Sequence, residues 1–73
     1  MNFGQWLRRK LYQLDRSQEW LYRRTGLTTG SCNRWTNGQV PSLEAFLGVC
    51  KVLANEEQRK MIDVIREYLE ERC

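Results

Sequence analysis

The stretch SQEWLYRRTGLTTGSCNRWTNG, residues 17–38, decides the fold. Ser17 is a good N-cap, because its short hydroxyl side chain accepts from the open N–H groups of a first helical turn. Trp20, Leu21 and Arg24 follow, and then Gly26, which suits the left-handed conformation at which helices stop. After Leu27, Thr28 caps again, and residues 29–36 form another short helix with Cys32 and Trp35 three apart on its buried side. Asn37-Gly38 then makes a turn. The join at Gly26 is too tight to reverse the chain into an ordinary antiparallel pair. Such helices cross at roughly 90–120°, and the later one projects outward.

With Leu21, Leu27, Cys32 and Trp35 facing inward, Thr29, Gly30, Ser31, Asn33 and Arg34 lie on the outer side of that projecting helix. These are short or polar groups of the kind that fit a major groove about 12 Å wide and hydrogen-bond to base edges. Arg34 is the best specificity residue, since a bidentate contact to guanine discriminates by about 1–3 kcal/mol.

Outward from this core motif the chain remains helical. Asn2 and Gln5 have capping-box spacing, and Phe3, Leu7, Leu11 and Leu14 recur on one face of a first helix that ends near Asp15. Pro41-Ser42 sets up a fourth helix carrying Leu43, Phe46, Leu47, Cys50 and Leu53. Asn55 and Gln58 repeat the capping-box spacing and open a last helix over 56–72. No alternating run of β-branched residues appears, so the expected class is all-α, a compact five-helix single domain over 1–73.

Charge is distributed unevenly. Residues 1–40 hold seven Arg and Lys against two acids, a net of +5, whereas residues 41–73 hold five against seven acids, a net of −2. The front half suits a polyanion. Arg8, Arg9, Lys10, Arg16 and Arg23 are its candidates for flanking phosphates. The three cysteines, Cys32, Cys50 and Cys73, are widely spaced and there is no His, a pattern that fits neither a zinc site nor a complete disulfide framework well and reads most simply as free thiols in a reducing cytosol. No apolar run has the form of a signal peptide or approaches the ~20 residues of a membrane span, so a soluble cytoplasmic protein is expected. With no His, no paired-carboxylate cleft and no phosphate-cradling glycine loop, an enzyme is not expected, nor is a cofactor or metal.

The segment from Gln18 to Trp35, followed by Asn37-Gly38, resembles the helix-turn-helix of the lambdoid phage repressor and Cro family, the bacterial regulators also called XRE-like. The resemblance covers residues 3 to about 53 and rests on Ser17-Gln18-Glu19, Leu21, Gly26, Thr28 and Asn37-Gly38 in joint register. It implies that Thr29, Gly30 and Arg34 occupy base-reading positions, that Gln18 grips a phosphate, and that Asn37 with the Gly38 backbone forms a second phosphate clamp. Three departures stand out. Tyr22 occupies a position usually held by Ala, where the two helices touch. Leu11 and Thr36 replace an Arg and a Glu that pair in many relatives, a joint loss that strands no charge. Gly30 lies inside the recognition helix, at a cost of roughly 1 kcal/mol relative to Ala.

The last helix carries Met61, Ile62, Val64, Ile65, Tyr68 and Leu69, more apolar surface than docking on one small domain requires. The excess predicts a homodimer interface built from Met61, Ile62, Ile65, Tyr68 and Leu69. Two recognition helices about 34 Å apart would read an inverted repeat. The expectation is therefore a dimeric repressor of phage or mobile-element type that binds an inverted-repeat operator in double-stranded DNA, its own promoter included, with no small-molecule effector and no membrane partner. The competing reading gives the same fold to a protein-interaction or recombination accessory module, or to an antitoxin or controller protein.

Overall fold

The computed structural model describes residues 1–71, and the predicted helix end at Arg72 and the thiol of Cys73 lie outside that range. Five helices follow one another: α1 (Phe3–Gln13), α2 (Gln18–Thr25), α3 (Thr29–Thr36), α4 (Leu43–Glu57) and α5 (Met61–Glu71). Among the described residues there is no strand, and no helix is long and apolar enough to cross a membrane. The all-helical expectation holds.

The starts of the first four helices are set by side chains. The Asn2 side chain accepts from the Gln5 N–H and Gln5 returns the bond to the Asn2 N–H, a complete capping box. Ser17, Thr28 and Ser42 accept from the amides of Trp20, Ser31 and Ala45. Gly26, at φ 76°, ends α2 in the left-handed region where its missing Cβ removes the usual strain.

Two boundaries differ from the sequence reading. Helix α1 stops at Gln13, and Leu14 caps it while Asp15 turns left-handed at φ 57°, so the Arg16 N–H reaches the Leu11 carbonyl. The predicted N-cap at Asn55 is also corrected. Asn55, Glu56 and Glu57 form the last turn of α4, because Ala54 is buried beside them and Gln58 ends the helix in the left-handed conformation, its N–H donating to the Asn55 carbonyl. The final helix consequently starts at Met61.

Helix α3 packs on α1, α2 on α4, and α5 on α4. Phe3 ties α1, α3, α4 and α5 together, its ring lying 5.2–5.7 Å from those of Trp6, Trp35, Phe46 and Tyr68. Edge-on geometry to Trp35 and Tyr68 brings ring edges onto ring faces, worth about 0.5–1.5 kcal/mol per pair beyond burial. Trp6, Leu21, Val49, Cys50, Leu53 and Val64 are completely buried, so the single chain closes its own core.

Electrostatic contacts fasten α5. Lys10 is buried, with its Nζ 2.9 Å from Glu57 Oε1 and 2.9 Å from Glu67 Oε2, and Arg59 Nη1 contacts the same two carboxylates at 3.1 and 3.0 Å. Burial pushes the Glu67 carboxyl up, but the hydrogen bonds and charges of Lys10 and Arg59 outweigh it and hold the group below the usual carboxylate range.

Candidate nucleic-acid interface

Helix α3 is held from below. Cys32 and Trp35 are buried, and Trp35 meets the edge of Phe3. Gly4 lets the α1 backbone approach the backbone at Trp35 and Thr36, where any Cβ would collide. Asn2 adds a bond from its Nδ2 to the Thr36 carbonyl at 2.9 Å. Thr36 satisfies its own hydroxyl on the Cys32 carbonyl, and Leu11 is buried, so the neutral pair at these positions leaves no stranded charge.

Anchoring one side of α3 exposes the other. Thr29, Gly30, Asn33 and Arg34 are exposed, as the sequence reading requires of a base-reading edge. Ser31 is half-buried: its N–H is capped by Thr28, and its Oγ lies 3.3 Å from Arg34 Nη2. That bond lays the guanidinium along the helix, and no carboxylate pairs with Arg34 among the described residues.

Gln18 stands at the first position of α2, where its Oε1 accepts from the Tyr22 hydroxyl at 2.7 Å. With one lone pair of the oxygen taken by Tyr22 and the amide plane thereby fixed, the NH2 of Gln18 is the side chain's donor. The Tyr22 ring fits between α2 and α3 half-buried, so its phenol pKa is raised by burial, with the nearby Cys32 thiol adding to the rise and Thr29 and the charge of Arg8 opposing it. Burial also pushes Cys50 up to about 11, leaving an un-ionised core thiol at neutral pH.

At the other end of α3, Asn37 and Gly38 are exposed, but the Gly38 N–H donates to the Trp35 carbonyl at 3.1 Å. The backbone half of the second phosphate clamp expected from sequence is thus committed to ending the helix. Only the Asn37 side chain remains to serve it.

The basic face contracts once partners are placed. Lys10 is corrected from a phosphate contact to a buried ion pair, because its stem crosses the core side of α1 and its ammonium reaches Glu57 and Glu67. Arg9 pairs with Glu71, Arg16 with Glu56 at 3.1 Å, and Arg23 with Glu19 along an exposed turn at 2.8 Å. Arg8 is exposed and has no ion-pair partner among the described residues. Of the five flanking cations expected from sequence, Arg8 is the one left with its charge uncompensated. Trp20 is half-buried, with the Arg24 and Arg16 guanidinium carbons 4.4 and 5.4 Å from its ring centre.

The predicted dimer surface is also revised. Tyr68 is buried against Phe3, Trp6 and Phe46, which removes it from any interface. Met61 and Ile65 are half-buried against the core, whereas Ile62 and Leu69 are 55% and 46% exposed and fall on one side of α5.

No protein-family model, curated protein or solved structure matches the chain.

Proposed function

We propose that this protein is a sequence-specific double-stranded DNA-binding regulator of the lambdoid repressor and Cro type, acting as a dimeric repressor on an inverted-repeat operator. The observation that carries this reading is α3: buried through Cys32 and Trp35, yet exposed along Thr29, Gly30, Asn33 and Arg34. A short helix braced on one edge and polar on the other suits insertion into a major groove. Gln18 and the Asn37 side chain flank it as neutral donors for phosphate, which fix register while base contacts specify sequence.

Dimerisation falls to the exposed edge of α5, with Ile62 and Leu69 outermost and Met61 and Ile65 behind them. Since one chain already closes the core, the dimer serves half-site spacing rather than folding. Repression then follows concentration, as two weak half-site contacts become one occupied operator.

The test is electrophoretic mobility of the purified protein with DNA from upstream of its own gene, at moderate salt and against unrelated competitor DNA. A sequence-preferring shift is expected. Its absence would favour the protein-interaction module instead.

A further inference from the structure

Tyr12 is 87% exposed, the most exposed of the large apolar or aromatic side chains. It stands one turn after Arg8 on α1, and the two side chains line a single hollow with Leu11, Arg16 and Gln18. Tyr22 joins this hollow to α3: its hydroxyl donates to Gln18 Oε1, and Thr29, at the start of α3, and the charge of Arg8 both pull its phenol pKa down against the rise caused by burial. A continuous surface therefore runs from the end of α1, across the first turn of α2, to the exposed edge of α3.

The polar groups at its rim share one chemistry. Arg8 offers guanidinium N–H groups, Tyr12 a phenolic O–H, and Gln18, its amide oriented by Tyr22, an NH2. Arg16 is spent on Glu56, and the neighbouring acid, Asp15, shares the adjoining hollow with Tyr12, Arg16 and Ser17 but is ion-paired with neither Arg8 nor Arg16 among the described residues. A row of donors with one uncompensated positive charge fits an acceptor-only anion, and a phosphate of the DNA backbone is such an anion.

Resting on the DNA-binding reading above, we infer that Arg8, Tyr12 and Gln18 form a shelf for the DNA backbone beside the groove that α3 enters, and that Tyr22 is the positioning residue that orients Gln18. The Tyr22 hydroxyl, 2.7 Å from Gln18 Oε1, fixes the side-chain amide and so aims its NH2 as a donor. The shelf carries no sequence information. It adds affinity equally on every DNA and widens the footprint past the recognition helix.

The test uses the full-length chain, with affinity measured on operator and scrambled duplexes between low and moderate salt. Arg8→Ala is expected to weaken both duplexes by about tenfold at low salt and to lower the slope of log affinity against log salt by about 0.9 per bound half-site. Tyr12→Phe should weaken both about threefold to tenfold with the slope unchanged, as loss of a neutral donor demands. Tyr22→Phe, which keeps the ring, should do the same in wild type but have no effect in a Gln18→Ala background, because its action passes through Gln18. An unaltered salt slope in Arg8→Ala, or full affinity in Tyr12→Phe, would overturn the shelf. Equal losses from Tyr22→Phe with and without Gln18 would overturn the positioning role. If wild type binds no DNA even at low salt, the functional reading itself fails, an outcome distinct from both.

Discussion

Replacing Gly4 by Ala tests how α3 is held. A methyl group built on Gly4 lands against the Thr36 amide nitrogen, with Thr36 Cα and the Trp35 carbonyl carbon each 2.6 Å away. Carbon contacts settle near about 3.5–4.0 Å, so α1 and α3 must separate by roughly 1 Å. All three obstructing atoms are backbone, and no rotamer change relieves them. Overpacking of this kind costs about 1–3 kcal/mol, and rigid neighbours place it near the upper end. The same separation stretches the Asn2 to Thr36 bond, worth about 1 kcal/mol, while exchanging Gly for Ala inside a helix returns about 1 kcal/mol. The net expectation is a loss of about 3 kcal/mol, a large share of the roughly 4–11 kcal/mol that a chain of this length possesses. At about 4–8 °C per kcal/mol, Tm should fall on the order of 10–20 °C, and urea unfolding should move in parallel. A Gly4→Ala protein as stable as wild type would show that the α1 and α3 backbones do not touch, and the support described for α3 would be wrong.

Gly30→Ala should act in the opposite sense. Only Thr28 Oγ1, at 3.8 Å, lies near the added methyl, so stability should rise by up to about 1 kcal/mol in thermal unfolding, and a decrease would contradict the exposed placement of Gly30. For Glu67 the folded carboxyl titrates below its unfolded value, so its contribution is fully present above the unfolded pKa and declines as pH falls through the folded one. Lys10→Met should therefore destabilise the protein at neutral pH and flatten its acid dependence, and parallel stability–pH curves for the two proteins would reject the buried network as the source. Ile62→Asp alters a residue outside the core and should leave monomer stability within about 0.5 kcal/mol while sedimentation reports a halved mass. An unchanged dimer mass would remove α5 from the interface.

Much of this architecture is legible in the sequence because its signals are local. Asn2, Ser17, Thr28 and Ser42 cap within three residues of themselves, and Gly26 carries its left-handed turn in its own chemistry. Thr29, Gly30, Asn33 and Arg34 on the exposed edge of α3 follow from helical period, whereas Ser31, placed there by the same period, is half-buried beneath Arg34 and the Thr28 cap. What escapes the sequence depends on partners distant along the chain. Lys10 reads as one more surface cation until α4 and α5 bring Glu57 and Glu67 to it, 47 and 57 positions later. Tyr68 belongs to an apolar stripe too broad for one surface, and only the positions of Phe3 and Trp6 assign it to the core. Asn55 has the residue type and spacing of a cap, yet the burial of Ala54 carries α4 through it. Gly4 did leave a signal: a glycine inside an amphipathic helix, next to Phe3 and Trp6, marks a close backbone approach.

Base reading by α3 through Arg34 can be put to proof by selecting bound sequences from a pool of randomised duplexes, with wild type and Arg34→Ala compared at one fixed salt concentration. Wild type should yield an inverted-repeat consensus, and Arg34→Ala should lose its preference at one or two positions of each half-site while keeping the rest, a change of about 1–3 kcal/mol at those positions. A consensus identical in both proteins, or none from wild type, would contradict the assignment of α3 as the recognition helix.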